Sequence, residues 1–129
     1  MAEARKILVV DDEEQLALAL RIRLQSRGYE VTTAGDGRQA LELIERHQPD
    51  LVILDVLMPV MDGFEVYHLL KENPKTKDIP VIIVTAKGER KDRQLGLSSP
   101  SYNYIAKPFE VEDLLAKVRE VLLQHAVKS

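Results

Sequence analysis

With 129 residues the chain has room for one domain with a real core and too little for two. Hydrophobic residues at 45% and charged ones at 30% exclude a disordered chain, and the lack of cysteine excludes disulfides and thiolate metal sites. A net charge of −3 gives no general pull toward nucleic acid or anionic lipid, and no apolar run approaches membrane-spanning length.

The N-terminal Met1–Lys6 leads directly into the apolar run Ile7-Leu8-Val9-Val10, which is too short for a signal peptide, so a cytoplasmic protein is expected. Asp11-Asp12-Glu13-Glu14 follows, then Leu16, Leu20 and Leu24 at helical spacing. Acids in a first turn suit the positive end of the helix dipole. Gly28 is placed to take a left-handed cap at the helix end. Glu30–Ala34 is predicted as a short strand and Gly35-Asp36-Gly37 as a turn. Ala40, Leu41 and Ile44 mark a second helix, closed by Gln48-Pro49.

The third run, Leu51-Val52-Ile53-Leu54, ends in Asp55, and Pro59 and Gly63 punctuate the loop after it. A helix is predicted from Phe64 to Leu70, stopped by Asn73-Pro74. Val81–Val84 forms a fourth strand, and a charged helix is predicted over 89–97. Tyr104-Ile105-Ala106 makes a short fifth strand ahead of Pro108. The last helix is marked by Val111, Leu114, Leu115, Val118, Val121 and Leu122 on one stripe. Five strands thus alternate with five helices over a single domain, residues 1–129, with an ordered core of about 5–124. Strands that are apolar throughout are buried on both faces, as in a parallel sheet with helices on each side.

Asp12, Asp55, Thr85 and Lys107 each lie at the end of such a strand, where open α/β sheets place their ligand crevices. Singly, each has an ordinary explanation: a helix cap, a β-favouring threonine, a flanking lysine. Together they converge. Two carboxylates about 4 Å apart repel by about 4 kcal/mol at an effective dielectric near 20, so a cluster either raises a pKa or holds a cation. Oxygen ligands without His or Cys favour Mg²⁺ over Zn²⁺. The histidines, His47, His68 and His125, fall on predicted helices away from these strand ends, where solvated surface is expected. A hydroxyl and an ammonium beside the acids complete a site suited to a phosphoryl group.

Four segments carry a resemblance over essentially the whole chain: Leu8–Glu13, Asp55–Gly63, Val84-Thr85-Ala86 and Tyr104–Phe109. In this order and spacing they resemble the receiver domain of bacterial two-component response regulators, in particular single-domain chemotaxis regulators. The resemblance implies a flavodoxin-like, doubly wound, five-stranded parallel sheet of order 2-1-3-4-5 with five helices. It makes Asp55 the phosphoacceptor, attacking a phosphohistidine of a sensor histidine kinase or histidine phosphotransfer protein. Asp11, Asp12, Asp55 and the backbone of Leu57 would hold Mg²⁺, with Asp11 acting largely through water. Lys107 would be the counter-charge for the phosphoryl group, and the Lys107–Pro108 peptide would be cis.

Thr85 and Tyr104 would be the switch pair, altering the face of the fourth helix, fifth strand and fifth helix that contacts a downstream protein. Leu57 and Lys87 are the positions expected to tune dephosphorylation. Ala86 is small enough to leave the phosphoryl group room. Direct nucleic-acid binding and membrane association by this chain are not implied. Nor is turnover of an external substrate, beyond assisting its own phosphorylation and dephosphorylation.

The chain departs from the family pattern at Ser98–Asn103, where Pro100 stands in place of a helix-ending glycine and cannot take positive φ. Tyr102 and Asn103 replace the usual acids, and Glu112 stands where winged-helix members often carry Arg. Lys87, Arg90, Lys91 and Arg93, interrupted by Glu89 and Asp92, are expected to form a solvated face.

Other classes fit less well. A haloacid-dehalogenase-type phosphatase needs a second Asp where Leu57 stands, and a P-loop hydrolase needs a Gly-Lys-Ser/Thr loop that is nowhere in the sequence. A flavodoxin-like cofactor binder has no use for the acid cluster. A phosphorylation-independent interaction module has no use for the full acid set with Thr85 and Lys107. The chain is expected to be either a stand-alone receiver or a piece of a larger regulator or hybrid kinase. Because apolar Leu57 offers no hydrogen bond to an attacking water, slow self-dephosphorylation is predicted. Leu57→Asn should lose phosphate faster than wild type in a single-turnover decay, and an equal rate would refute the assignment.

Overall fold

The computed structural model describes residues 4–55, 63–86 and 103–128. Five strands, β1 (Lys6–Val10), β2 (Glu30–Ala34), β3 (Leu51–Asp55), β4 (Val81–Ala86) and β5 (Asn103–Lys107), form one parallel sheet of order β2-β1-β3-β4-β5. The described helices are α1 (Glu14–Ser26), α2 (Gly37–His47), α3 (Gly63–Glu72) and α4 (Val111–Lys128). The helix predicted over 89–97 lies outside the described residues, as do the basic cluster and the loop around Pro100.

The continuous apolar strands are explained by the period of two. Leu8, Val10, Val52, Leu54, Val81 and Ile83 pack with Ala40 and Ile44 of α2 and with Val66, Tyr67 and Leu70 of α3. The alternate residues Ile7, Val9, Leu51, Ile53, Ile82 and Val84 pack with Ala17, Leu20 and Leu24 of α1 and with the α4 stripe from Leu114 to Leu122. Each buried Val, Leu or Ile among them stabilises by about 1.5–3 kcal/mol, which anchors the central strands β1, β3 and β4 between the helices. On α1 the buried set is Ala17, Leu20 and Leu24; Leu16 is only half-buried, since the helix rests on the sheet one position round from the predicted stripe.

The elements end where the sequence signals them. After α1, Tyr29 N–H donates to Leu24 C=O (3.3 Å) and Gly28 N–H to Gln25 C=O (3.0 Å), a Schellman closure with Gly28 at φ 93°. The predicted turn before α2 is also its cap. The Asp36 carboxylate accepts from Gln39 N–H (2.9 Å), and Gln39 Oε1 accepts from Gly35 N–H (2.9 Å). After α3, buried Thr76 donates to Leu70 C=O (2.7 Å), and half-buried Lys71 donates to the carbonyls of Lys77 and Ile79. These contacts fix the approach to β4.

The strands run further than the apolar runs. Thr85 pairs with Ala106 and Ala86 with Lys107, so the site residues Thr85 and Lys107 belong to the ladder itself. The Lys107–Pro108 peptide is cis. Substituting Gly28→Ala forces a Cβ into left-handed backbone and should cost about 1 kcal/mol, read as a lower urea midpoint at unchanged slope.

Candidate active site

Strand alternation assembles the site. Asp11 continues the row of Ile7 and Val9, Asp55 that of Leu51 and Ile53, and Lys107 that of Ile105. All three therefore emerge on the α1 side of the sheet at its C-terminal edge. The ladder is still intact there: Asp11 N–H donates to Ala34 C=O at 3.0 Å.

Lys107 is the hub. Its Nζ lies 2.6 Å from Glu13 Oε1, 3.1 Å from Asp55 Oδ2 and 3.2 Å from Asp11 Oδ2. Burial opposes its charge, but the hydrogen bonds to Glu13 and Asp55 outweigh that. Helped by the charges of Asp55 and Asp11, they hold its pKa above the ordinary lysine range. Lys107 is thus held as a cation among these acids.

Asp11 and Asp55 are each only 4% exposed, whereas Asp12 is exposed. Burial raises the Asp11 pKa above its ordinary value, and the Asp55 charge adds to this. The Glu13 N–H, donating to Asp11 Oδ1 at 2.8 Å, and Lys107 pull the other way. Carboxylate oxygens of Asp11, Asp12 and Asp55 all lie within 4.8 Å of one another. Three hard oxygen donors so close, without nitrogen or sulfur, fit a divalent cation of the Mg²⁺ kind.

The other predicted residues are distributed as follows. Thr85 is buried at the end of β4, in the row of Val81 and Ile83. Tyr104 is partly exposed on β5 and pairs with Ile83. Leu57 and Lys87 lie outside the described residues, and so does the side-chain setting of Ala86. His47 is exposed as expected. His68 is instead half-buried, its ring edge-on to Tyr67 at 5.9 Å. The N-cap of α1 is Glu13, not Asp12.

Sequence reasoning missed Glu13 as a member of the site. Its signal was the uninterrupted Asp11-Asp12-Glu13, which brings a third acid within reach of whatever cation the first two face. It also missed the tie of Glu112 to Arg23 and Arg27 across α1 and α4; the second of these contacts is 3.0 Å.

The raised Asp11 pKa has a sign. The unfolded carboxyl titrates near 3.8 and the folded one higher, so between those two values the folded state holds a proton the unfolded state has lost. The penalty of burying this charge is absent below the unfolded value and fully present above the folded one. Asp11→Asn should therefore stabilise the metal-free protein at pH 7 by about 1 kcal/mol, and the gain should vanish at acid pH. Urea unfolding at the two pH values measures it; an equal gain at both would refute it.

Comparison with known proteins agrees with this geometry. Residues 7–119 match the response regulator receiver domain family. The chemotaxis protein CheY4 of Vibrio cholerae is 35% identical, with a TM-score of 0.82 over 92% of this chain and 98% of that one. The response regulator TrrA of Thermotoga maritima, solved with Mg²⁺ and BeF, is 36% identical, with a TM-score of 0.77 over 90% of this chain and 97% of that one. A probable transcriptional regulator, ycf27, of Cyanophora paradoxa is 45% identical over 118 residues, 92% of this chain and 48% of its own length. The chain spans about half the length of the curated relatives it matches. The family match covers most of the sequence, and the sheet order is the one the resemblance implied: the chain belongs to the response regulator receiver domains of two-component signalling.

Proposed function

We propose that Asp55 is the phosphoacceptor and that the chain works by storing a phosphoryl group there. The observation that carries this is the 3.1 Å contact of Lys107 Nζ with the buried Asp55 carboxylate inside an acid cluster. The donor is a phosphohistidine on a sensor histidine kinase or a histidine phosphotransfer protein. An Asp55 carboxylate oxygen attacks phosphorus and a P–O bond forms. The P–N bond breaks, and the imidazole leaves with the bonding pair and takes a proton from solvent.

The acyl phosphate adds a dianion beside Asp11 and Asp12, and Lys107 transfers its contact from the Asp55 carboxylate to a phosphoryl oxygen. Asp11, Asp12 and Asp55, with the backbone carbonyl of Leu57, would hold Mg²⁺, which supplies neutralisation of the phosphoryl oxygens. Leu57 and Lys87 tune loss of the group. The chain turns over no external substrate.

Thr85 turns to the phosphoryl oxygens and Tyr104 moves after it, which changes the surface of β5, α4 and the segment 89–97 where a downstream protein binds. Supporting this are the burial of Thr85 at the strand end and the exposure of Tyr104 three residues before Lys107. We take residues 1–129 as one receiver domain with an ordered core of about 5–124, acting in the cytoplasm. No described helix is long and apolar enough to cross a membrane.

A second setting is favoured by the curated relatives. RpaA of Synechocystis, a DNA-binding dual master transcriptional regulator, is 40% identical over 117 residues that make up 48% of its length. In that setting this chain is the receiver part of a longer regulator, and nucleic-acid binding belongs to the other part.

Incubation with Mg²⁺ and acetyl phosphate should add one phosphoryl group by intact-mass spectrometry, and Asp55→Asn should abolish it. Labelling that persists in Asp55→Asn would sink the assignment.

A further inference from the structure

We propose that Glu13 is a competing acid for Lys107. It occupies the ammonium in the unphosphorylated protein and must release it before a phosphoryl group can take its place, so Glu13 sets the affinity of the site for that group. The inference rests on the reading of Asp55 as phosphoacceptor and adds a positioning residue to it.

Three observations carry it. Of the three carboxylates on Lys107 Nζ, Glu13 makes the shortest contact, 2.6 Å against 3.1 and 3.2 Å. Glu13 is also the N-cap of α1, yet its side chain makes no capping hydrogen bond and reaches across to β5 instead. Its backbone is held at both ends: its N–H donates to Asp11 Oδ1, and its carbonyl accepts from Ala17 N–H at 3.0 Å. Only the side chain is left to move.

The third observation is burial. The Glu13 side chain is 61% exposed, whereas those of Asp11 and Asp55 are 4% and 5% exposed. Releasing Glu13 to water is therefore cheap, while releasing either aspartate is not. Among the described residues the close carboxylate group is Asp11, Asp12 and Asp55, without Glu13. Glu13 is thus set on the cation of the site and not on its metal position. An incoming phosphoryl group needs the same ammonium; of the two described acids still on it once Asp55 is esterified, Glu13 is the one that can leave without exposing a buried charge.

The test is a calorimetric titration of the full chain with beryllofluoride at saturating Mg²⁺, saturation being verified separately for each protein. The proteins are wild type, Glu13→Gln and Glu13→Asp. Glutamine removes the charge; aspartate keeps it but is one methylene too short for the contact. Both variants should bind beryllofluoride about two- to fivefold tighter than wild type, the range an exposed ion pair allows, and the gap should narrow with added salt. Unchanged or weaker binding by Glu13→Gln overturns the proposal. Tighter binding by glutamine with wild-type binding by aspartate also overturns it, because repulsion and not the contact would then be at work. A wild-type protein that takes no beryllofluoride overturns the Asp55 reading together with this one.

Discussion

A single ammonium, on Lys107, holds the acid edge of this sheet together. It contacts Glu13, Asp55 and Asp11, and two of those three carboxylates are almost out of water. Left to themselves, buried carboxylates a few ångströms apart repel by several kcal/mol, and one of them protonates. The lysine holds the Asp55 carboxylate in place through a 3.1 Å contact. It does so without quenching the site, because one charge does not neutralise the acids around it. The remaining negative charge suits a divalent cation of the Mg²⁺ kind.

Much of this was legible in the sequence. The alternation of strands and helices followed from apolar runs separated by helical stripes, and the strand order from the family resemblance. Asp11, Asp55, Thr85 and Lys107 could be placed at strand ends because each directly follows an apolar run, with Asp12 one residue further on. The parity rule does more than place them. It shows that Asp11, Asp55 and Lys107 occupy the face that α1 covers, while Thr85 sits in the other row. That division could have been read by counting alternate residues.

What was not legible lies in side chains that reach across elements. Glu13 looked like an ordinary first-turn acid, a role that needs no partner from β5, and nothing local in the sequence says that it bridges 94 positions to Lys107. Glu112 looked like a substitution against the winged-helix pattern. In the fold it is engaged by Arg23 and Arg27, so its charge is already spent within the chain. Long charged side chains choose partners by tertiary proximity, and periodicity carries no information about that. Leu16 and Ala17 differ for a related reason: a helical stripe predicts a face, but the sheet beneath decides which of two adjacent residues is at its centre.

The order of the site along the chain has a consequence for how it is built. Asp11, Asp12, Glu13 and Asp55 all belong to the first half of the sequence, whereas the lysine that reconciles them arrives only with the edge strand β5. As the polypeptide is synthesised from its N-terminus, β1 and β3 can pair before β5 exists, and the acids are then gathered without Lys107. Docking of the last strand relieves that repulsion as well as covering apolar surface. The electrostatics of phosphoryl storage therefore also favour completion of the sheet: an unfinished domain carries an unrelieved strain at the same edge where the finished one does its chemistry.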